Sequence, residues 1–513
     1  MSKTFVIGLD GASWELLEPW IDEGRLPNIA ALRDRGSWAT SQSCLPPVTF
    51  PNWKCYSSGK NPGGFGVYWF ERIDLEHGRV EIPNRSDFNT AELWDYLNDA
   101  GLRTGVVNMP TMYPPREIDG CIICGGPDAV DGEYRSITGG YTYPPAVKTE
   151  IEDRFDYRVH PDPLLSSNQE RGAEVEEILE LLDKRFEVAT TLAEEKNLDF
   201  VHVTLFYLNV LQHFFWDDEP TRRAWELIDE WVGELAADED TNLVLMSDHG
   251  CISTRTEFYI NEWLAENGYL VKRRTVEDYF STLGLTRENA LSIAKQFDAV
   301  GLLEQIVPQR LQELVPQSSG AKRGRKLEKI VLDETKAVAS GQGPVYVNSQ
   351  FDIEAVTTSL IQDLESVSDD DSEPLFEAVH RATEVYDGPF AEDGPDIVIE
   401  QAPGVHINDG IGGGETITAP DRWAAENTRS GIFVASGPDF ESHGHLDEIL
   451  ITDIMPTILS AHGLAVPTDI NGNVLPIVPG NTGTRSPIGY SSDRSNDDSE
   501  TVESRLKQLG YME

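Results

Sequence analysis

Thr49, in the stretch Leu45-Pro-Pro-Val-Thr49-Phe-Pro-Asn-Trp53, is the one hydroxyl in this sequence whose surroundings suit a nucleophile, because it is held between prolines. A threonine alcohol does not ionise near neutral pH unaided, so the chemistry needs a metal ion, and the ion needs carboxylates and imidazoles from elsewhere. Two places supply them. Asp10 ends the apolar run Phe5-Val-Ile-Gly-Leu9, and Asp248-His249 follows Leu243-Val-Leu-Met246. Both read as short buried strands that end in a liganding acid and then reach glycine. In open α/β sheets, ligands bind beyond the carboxyl ends of the strands, where loops converge without disturbing the core.

Positioning such groups calls for alternating strands and helices. Residues 1 to about 125 show that rhythm: Phe5 to Leu9, an amphipathic run from Trp14 to Arg35, and a strand at Thr104 to Asn108. The alternation predicts a parallel sheet. Residues 171 to 196 have helical periodicity through Val175, Ile178, Leu182 and Phe186, and the strand Phe200 to Leu205 leads into Asn209 and His213. The apolar window from Phe200 to Trp216 reads as a buried strand and its loop. Beyond Asp248, residues 254 to roughly 345 give helical segments and a basic patch, Lys322-Arg-Gly-Arg-Lys326, expected as a solvated, charge-balancing loop. Strand signals resume at Val345-Tyr-Val-Asn348, Asp396-Ile-Val-Ile399 and Gly431-Ile-Phe-Val-Ala435, where the chain is expected to return to the core. The domain reading is a core over 1–253 and 345–479, an inserted cap over 254–344 and a polar, flexible tail over 480–513.

Composition narrows the function. The 513 residues, 39% of them hydrophobic, suffice for a large core with insertions. The formal net charge of -47 is spread through every segment, a pattern similar to the acidic surfaces of salt-loving archaeal proteins. No basic stripe exists to neutralise phosphates, which argues against nucleic acid or an anionic membrane as a ligand of the general surface. The chain opens Met-Ser-Lys and goes straight into a strand, so no secretory signal is expected, and no window is long and apolar enough for a membrane span. Five irregularly spaced cysteines suit a reduced cytoplasm. Cys121-Ile-Ile-Cys124 reads as a buried strand end and Gly59-Lys-Asn-Pro-Gly-Gly64 as a turn, since it lacks the Lys-Ser/Thr ending of a P-loop.

Several motifs, in order, carry a resemblance: Gly8-Leu-Asp-Gly11, Leu26-Pro-Asn28, Pro47-Val-Thr49 with Gly59-Lys-Asn-Pro62, Ser247-Asp-His-Gly250, Tyr259-Ile-Asn-Glu-Trp-Leu264 and Asp453-Ile-Met-Pro-Thr-Ile458. Together they resemble the type I phosphodiesterase and nucleotide pyrophosphatase branch of the alkaline phosphatase superfamily. The resemblance implies an α/β fold, with an alkaline phosphatase-like, mostly parallel central sheet flanked by helices and an inserted helical cap. It also implies two divalent ions, usually zinc, around a phosphoryl group that the threonine attacks in line. Asp10, Thr49, Asp248 and His249 would hold the first ion, as Zn2+ or Mn2+.

At the second ion the sequence departs from the pattern. An acid is expected four residues before His213, where Asn209 stands, and a histidine four residues before Gly431, where Asn427 stands. Only His213 remains of the three ligands. Amide oxygens bind zinc weakly, so this site is expected to be weak or empty. His406, in the loop Gly404-Val-His-Ile-Asn-Asp-Gly410, is the candidate for a rescue ligand. The expected activity is hydrolysis of phosphoric esters, phosphodiesters or nucleotide pyrophosphate bonds, through a covalent Thr49 intermediate on a phosphorylated small molecule. The alternatives are a single-metal transferase, and a silent relative that binds a phosphorylated ligand or a partner. A sulfatase is disfavoured, because Cys44-Leu-Pro-Pro does not continue into the Cys-x-Pro-Ser-Arg signature.

Overall fold

The computed structural model describes residues 2–128, 140–162, 172–273, 325–369, 371–411, 414–420, 423–480 and 482–490. Short apolar runs become the strands of a ten-stranded central sheet. Lys3–Gly8 lies at its middle, between Thr241–Met246 on one side and Phe200–Thr204 on the other. Thr104–Val107 and then Gly120–Ile123 continue outward from Phe200–Thr204, and these five strands are all parallel. Ser430–Ser436 runs antiparallel to both Thr241–Met246 and Ser37–Gln42, and so closes the other side. Apart from Lys3, Thr241 and Ser430 at their starts, the inner strands, from Thr104–Val107 across to Ser430–Ser436, are buried, as expected where both faces are covered. The sheet is flanked by helices, among them Gly172–Glu195, Glu219–Leu235 and Pro27–Arg35, and, in a separate packing group, Thr49–Ser58, Leu93–Asp99 and Ile454–Ala461.

A second, smaller sheet has its own apolar core. Ala337–Ala339, Pro344–Val347, Ile397–Gln401 and Phe376–Arg381 pair antiparallel in that order. The strands at Val345 and Ile397, expected to rejoin the central sheet, lie here instead. Their apolar runs have the length and composition of central strands, and nothing local distinguishes an antiparallel partner from a parallel one. Residues 274–324 of the expected cap lie outside the described residues; its flanks contain the strand Thr256–Tyr259 and the helix Ile260–Glu266.

Three local expectations change. Phe206–Phe215 is a helix and not a loop; it is buried almost all round, so its polar stripe of Asn209, Gln212 and His213 faces the interior and not solvent. Lys326 does not sit in a solvated loop: its ammonium is ion-paired with Glu71 at 2.5 Å and with Asp409, because acids from two other segments surround its stem. The tail expected from residue 480 starts in contact with the core. Thr484–Arg485 pairs with Val466–Pro467, and Arg85 Nη1 donates to the Tyr490 hydroxyl at 3.0 Å. Residues 491–513 lie outside the described residues.

Candidate active site

The loop that carries Thr49 is fastened by its own sequence. Val48 is extended and Thr49 opens the helix Thr49–Ser58, which ends at Gly59 in the left-handed conformation, φ +69°. One turn in, Asn52 accepts the Cys44 N–H at 2.8 Å and donates to the carbonyls of Pro46 and Val48 at 2.9 and 3.0 Å. The segment before Thr49 is thereby clasped to the helix that follows it. The hydroxyl sits in a first turn whose free N–H groups and dipole favour negative charge.

Strand register brings the acids to it. Gly8 pairs with Met246 across neighbouring parallel strands, and Asp10 and Asp248 each lie two residues further on, at the same edge of the sheet. The Gly11 N–H donates to Asp248 Oδ1 at 3.3 Å, which ties the two turns together. Thr49 Oγ1 lies 3.5 Å from Asp10 Oδ1 and 3.4 Å from His249 Nε2. His249 Nε2 is 3.6 Å from Asp10 Oδ1 and 3.3 Å from Asp248 Oδ2. All four residues are fully buried.

This donor set fits a divalent cation. Ligand atoms of Asp10, Asp248 and His249 lie within 4.8 Å of one another. His249 Nδ1 faces the Gly250 carbonyl at 2.9 Å; a carbonyl only accepts, so Nδ1 carries the proton and the Nε2 lone pair points at the acids. Asp248 Oδ2 is buried and accepts no hydrogen bond, and among the described residues no lysine or arginine pairs with either acid. Burial pushes the Asp10 carboxyl up to about 8 against the N–H and O–H groups of Trp53, Thr49 and Asn209. Burial, and then the charge of Asp10, raise Asp248 well above the usual carboxylate range. Burial holds His249 neutral, down at about 3. Two buried acids beside a neutral imidazole are costly until a cation joins them.

The helix Phe206–Phe215 carries Asn209 and His213 one turn apart, on one face. The Asn209 side chain hydrogen-bonds the Asp10 carboxylate. His213 Nδ1 donates to the Ala425 carbonyl at 2.7 Å, and its ring packs on Trp423 at 3.8 Å. Burial lowers His213 to about 4. Asn427 is buried on the strand Ala425–Thr428, opposite Cys251, and its side-chain amide has no hydrogen-bond partner. His406 Nδ1 lies 2.5 Å from Glu426 Oε2, and its ring stacks on Trp423 at 5.2 Å.

Three residues in this region escaped the sequence reading. Trp53 donates its indole N–H to Asp10 Oδ2 at 3.0 Å. Gln212 Nε2 donates to the carbonyls of Asp10 and Gly11 at 3.3 and 3.0 Å. Glu426 is buried and accepts from Gln342 at 2.6 Å and from the Asn427 N–H at 2.8 Å. Burial alone would raise the Glu426 carboxyl, but His406, then His213 and the Asn427 N–H, hold it below its ordinary range. The spacing of Trp53 and Gln212, four residues after Thr49 and three after Asn209, is the only local signal that places them on the active faces of their helices.

A large, mostly parallel sheet with two acids and an imidazole at its strand ends, and a threonine at the start of the next helix, defines an alkaline phosphatase-like fold and site. The sequence profile of the type I phosphodiesterase / nucleotide pyrophosphatase family matches residues 4–423, and the chain belongs to that family. It is a hydrolase of the alkaline phosphatase superfamily. Asn427 lies just beyond the matched stretch. Phosphonoacetate hydrolase from Sinorhizobium meliloti 1021, in complex with phosphonoformate, has a similar fold: 13% identity, 90% of this chain and 95% of that one covered, TM-score 0.57. Murine ectonucleotide pyrophosphatase / phosphodiesterase 5 is similar at 12% identity, with 92% and 97% covered and a TM-score of 0.50. Its inactive form in complex with AMP gives 12%, 93%, 98% and 0.51. No curated protein matches the chain. Among the described residues, no helix is long and apolar enough to cross a membrane.

Proposed function

We propose that this chain hydrolyses phosphodiester or nucleotide pyrophosphate bonds of small molecules, with Thr49 as the nucleophile and a covalent Thr49 intermediate. The observation that carries the reading is the position of Thr49 Oγ1, 3.5 Å from Asp10 Oδ1 and 3.4 Å from His249 Nε2, beside two buried acids that no cationic side chain among the described residues balances. A divalent ion held by Asp10, Asp248, His249 and Thr49, as Zn2+ or Mn2+, would supply the Lewis acidity that lets a threonine hydroxyl lose its proton near neutral pH.

The chain's own groups do the rest. Thr49 Oγ attacks phosphorus in line as the leaving oxygen departs with the bonding pair. The first-turn N–H groups of the helix Thr49–Ser58 face the arriving anion, and the helix dipole favours the charge that develops there. Asn52 keeps the threonine at the helix start, and burial excludes bulk water, which strengthens each of these interactions. Water then attacks phosphorus, the Thr49 oxygen leaves, and the alcohol is restored.

Asn209 and Asn427 favour a second reading, in which the same intermediate passes its group to an alcohol or is not formed at all. A phosphodiester and a phosphomonoester assayed in parallel, with and without added glycerol as an acceptor, separate the readings. Hydrolysis of the diester supports the first, glycerol phosphoesters support transfer, and no product from either substrate supports a silent relative.

A further inference from the structure

Asp10 presents two oxygens to different surroundings. Oδ1 faces Thr49 and His249, at 3.5 and 3.6 Å. Oδ2 accepts the Trp53 indole N–H at 3.0 Å. An indole nitrogen only donates, so this bond admits one orientation of the carboxylate. The ring itself has no freedom. It is fully buried, stands edge-on to His202 at 5.7 Å, and lies so close to the first strand that a Cβ at Gly8 would come within 2.6 Å of it. Trp53 is one turn along the helix from Thr49, so a single helix carries the nucleophile and the group that aims its neighbouring acid.

Asn209 works on the same carboxylate from another helix. At Gly11, φ is +69°, and a Cβ there would lie 2.2 Å from Asn209 Oδ1; the turn after Asp10 is open only because this residue is glycine. With the amide oxygen packed on Gly11, the amide N–H is left to face the Asp10 carboxylate, which accepts when ionised. An aspartate at 209 has no proton to offer when ionised and would set a second negative charge beside the first. Gln212, one turn on from Leu208 on this helix, holds the backbone carbonyls of Asp10 and Gly11.

We infer that Trp53 and Asn209 are positioning residues that hold Asp10 with one oxygen free for a divalent cation, and that position 209 serves this single-ion centre as a hydrogen-bond donor instead of serving a second ion as a ligand. The inference rests on the metal centre proposed above. Groups one shell out from a metal set the orientation and basicity of its ligands, and their loss costs about 10–100-fold in metal affinity.

The test is a competition titration of Zn2+ and Mn2+ against a chelator of known affinity, on the full chain. Thermal unfolding of each metal-free variant and the d–d spectrum of its Co2+ form accompany it. Trp53→Phe, which keeps an aromatic ring and removes the N–H, and Asn209→Leu, which keeps the branched shape and removes the amide, should each weaken binding about 10–100-fold and shift the Co2+ bands. The double variant should lose less than the product of the two, since both act on one carboxylate. Trp53→His, which restores a ring N–H, should recover part of the loss. A purely structural role would lower the unfolding temperature of the metal-free protein and leave the affinity of the folded protein unchanged. Binding within twofold of the parent in folded Trp53→Phe and Asn209→Leu overturns the inference; if one of them does not fold, the other decides alone. Asp10→Asn is the control for the centre itself. If it too binds like the parent, there is no metal centre at Asp10 and the inference falls with it.

Discussion

Thr49 Oγ1 lies 3.4 Å from His249 Nε2, although the two residues are 200 positions apart in the chain. The tautomer is set from behind, by the Nδ1 proton on the Gly250 carbonyl, so the hydroxyl meets a lone pair. The central sheet makes this contact possible, since the strand Lys3–Gly8 lies beside the strand that delivers His249.

The metal-free protein should lose stability as pH rises from about 6.5 to about 8, above the range where His249 and His213, held neutral by burial, contribute the opposite sign. Asp10, pushed up to about 8 by burial from the ordinary 3.8, keeps in the folded state a proton that the unfolded chain has released. The folded state therefore binds more protons across that window, and stability falls by up to about 1.4 kcal/mol per pH unit for this group. Asp248 moves in the same direction. Metal affinity should do the opposite and climb with pH, because the ligands bind deprotonated. Urea midpoints of chelator-treated protein across this range, beside metal titrations at the same pH values, check both signs. A metal-free midpoint that rises with pH contradicts them.

The double change Asn209→Asp with Asn427→His should take the metal content from one ion per chain to two, the second ion offsetting the lost amide donor and the charge that an aspartate at 209 sets beside Asp10. It should raise turnover by about 10²-fold if several kcal/mol of charge stabilisation return. Either change alone should do much less, since an ion needs its full ligand set. Metal analysis of the purified variants and steady-state rates on one diester decide this; a double variant that still holds one ion contradicts the assignment of position 427.

Lys54 should be important to stability while it takes no part in the chemistry. Its ammonium is buried on the face of the helix Thr49–Ser58 away from Asp10 and Asp248, 2.6 Å from Glu92, which also meets Arg116 at 3.3 Å. Removing one partner of such a pair leaves a buried charge, at a cost of about 3–5 kcal/mol. Lys54→Ala should show that loss in a urea titration, whereas Lys60→Ala, at a pair whose partner is exposed, should change stability by about 1 kcal/mol or less.

Much of the site is local in the sequence, and what is not local was missed. Asp10 and Asp248-His249 are legible because an apolar strand that stops at an acid and a glycine has few other readings. Thr49 is legible because prolines flank it. The helix Phe206–Phe215 is not legible, since its polar stripe of Asn209, Gln212 and His213 lies against the site instead of solvent and the rest of the segment is uniformly apolar. Trp53 reads as core because buried indoles are ordinary, and only the distant Asp10 turns its N–H into a positioning group. Glu426 is surrounded by Gln342 and Gln401, brought by the smaller sheet, and by His406, which lies not in a loop but on the strand Val405–Asn408 beside Thr256–Tyr259, so no motif announces it. The smaller sheet is hard to read for a related reason: Pro344–Val347 pairs antiparallel with Ile397–Gln401 across an intervening helix and strand that conceal the partner.

The central claim is a covalent Thr49 intermediate, and mass spectrometry of peptides from a rapidly quenched single turnover tests it most directly. The metal-loaded protein, in excess over bis(para-nitrophenyl) phosphate, should release one para-nitrophenolate per substrate molecule and carry the remaining para-nitrophenylphosphoryl group on the peptide containing Thr49. Decay of that adduct should be slower than its formation, because the second ion's ligands are incomplete. Thr49→Ala should show neither the adduct nor the released phenolate. Product release by the parent at full rate with no adduct at any quench time, or equal release by Thr49→Ala, would contradict the account.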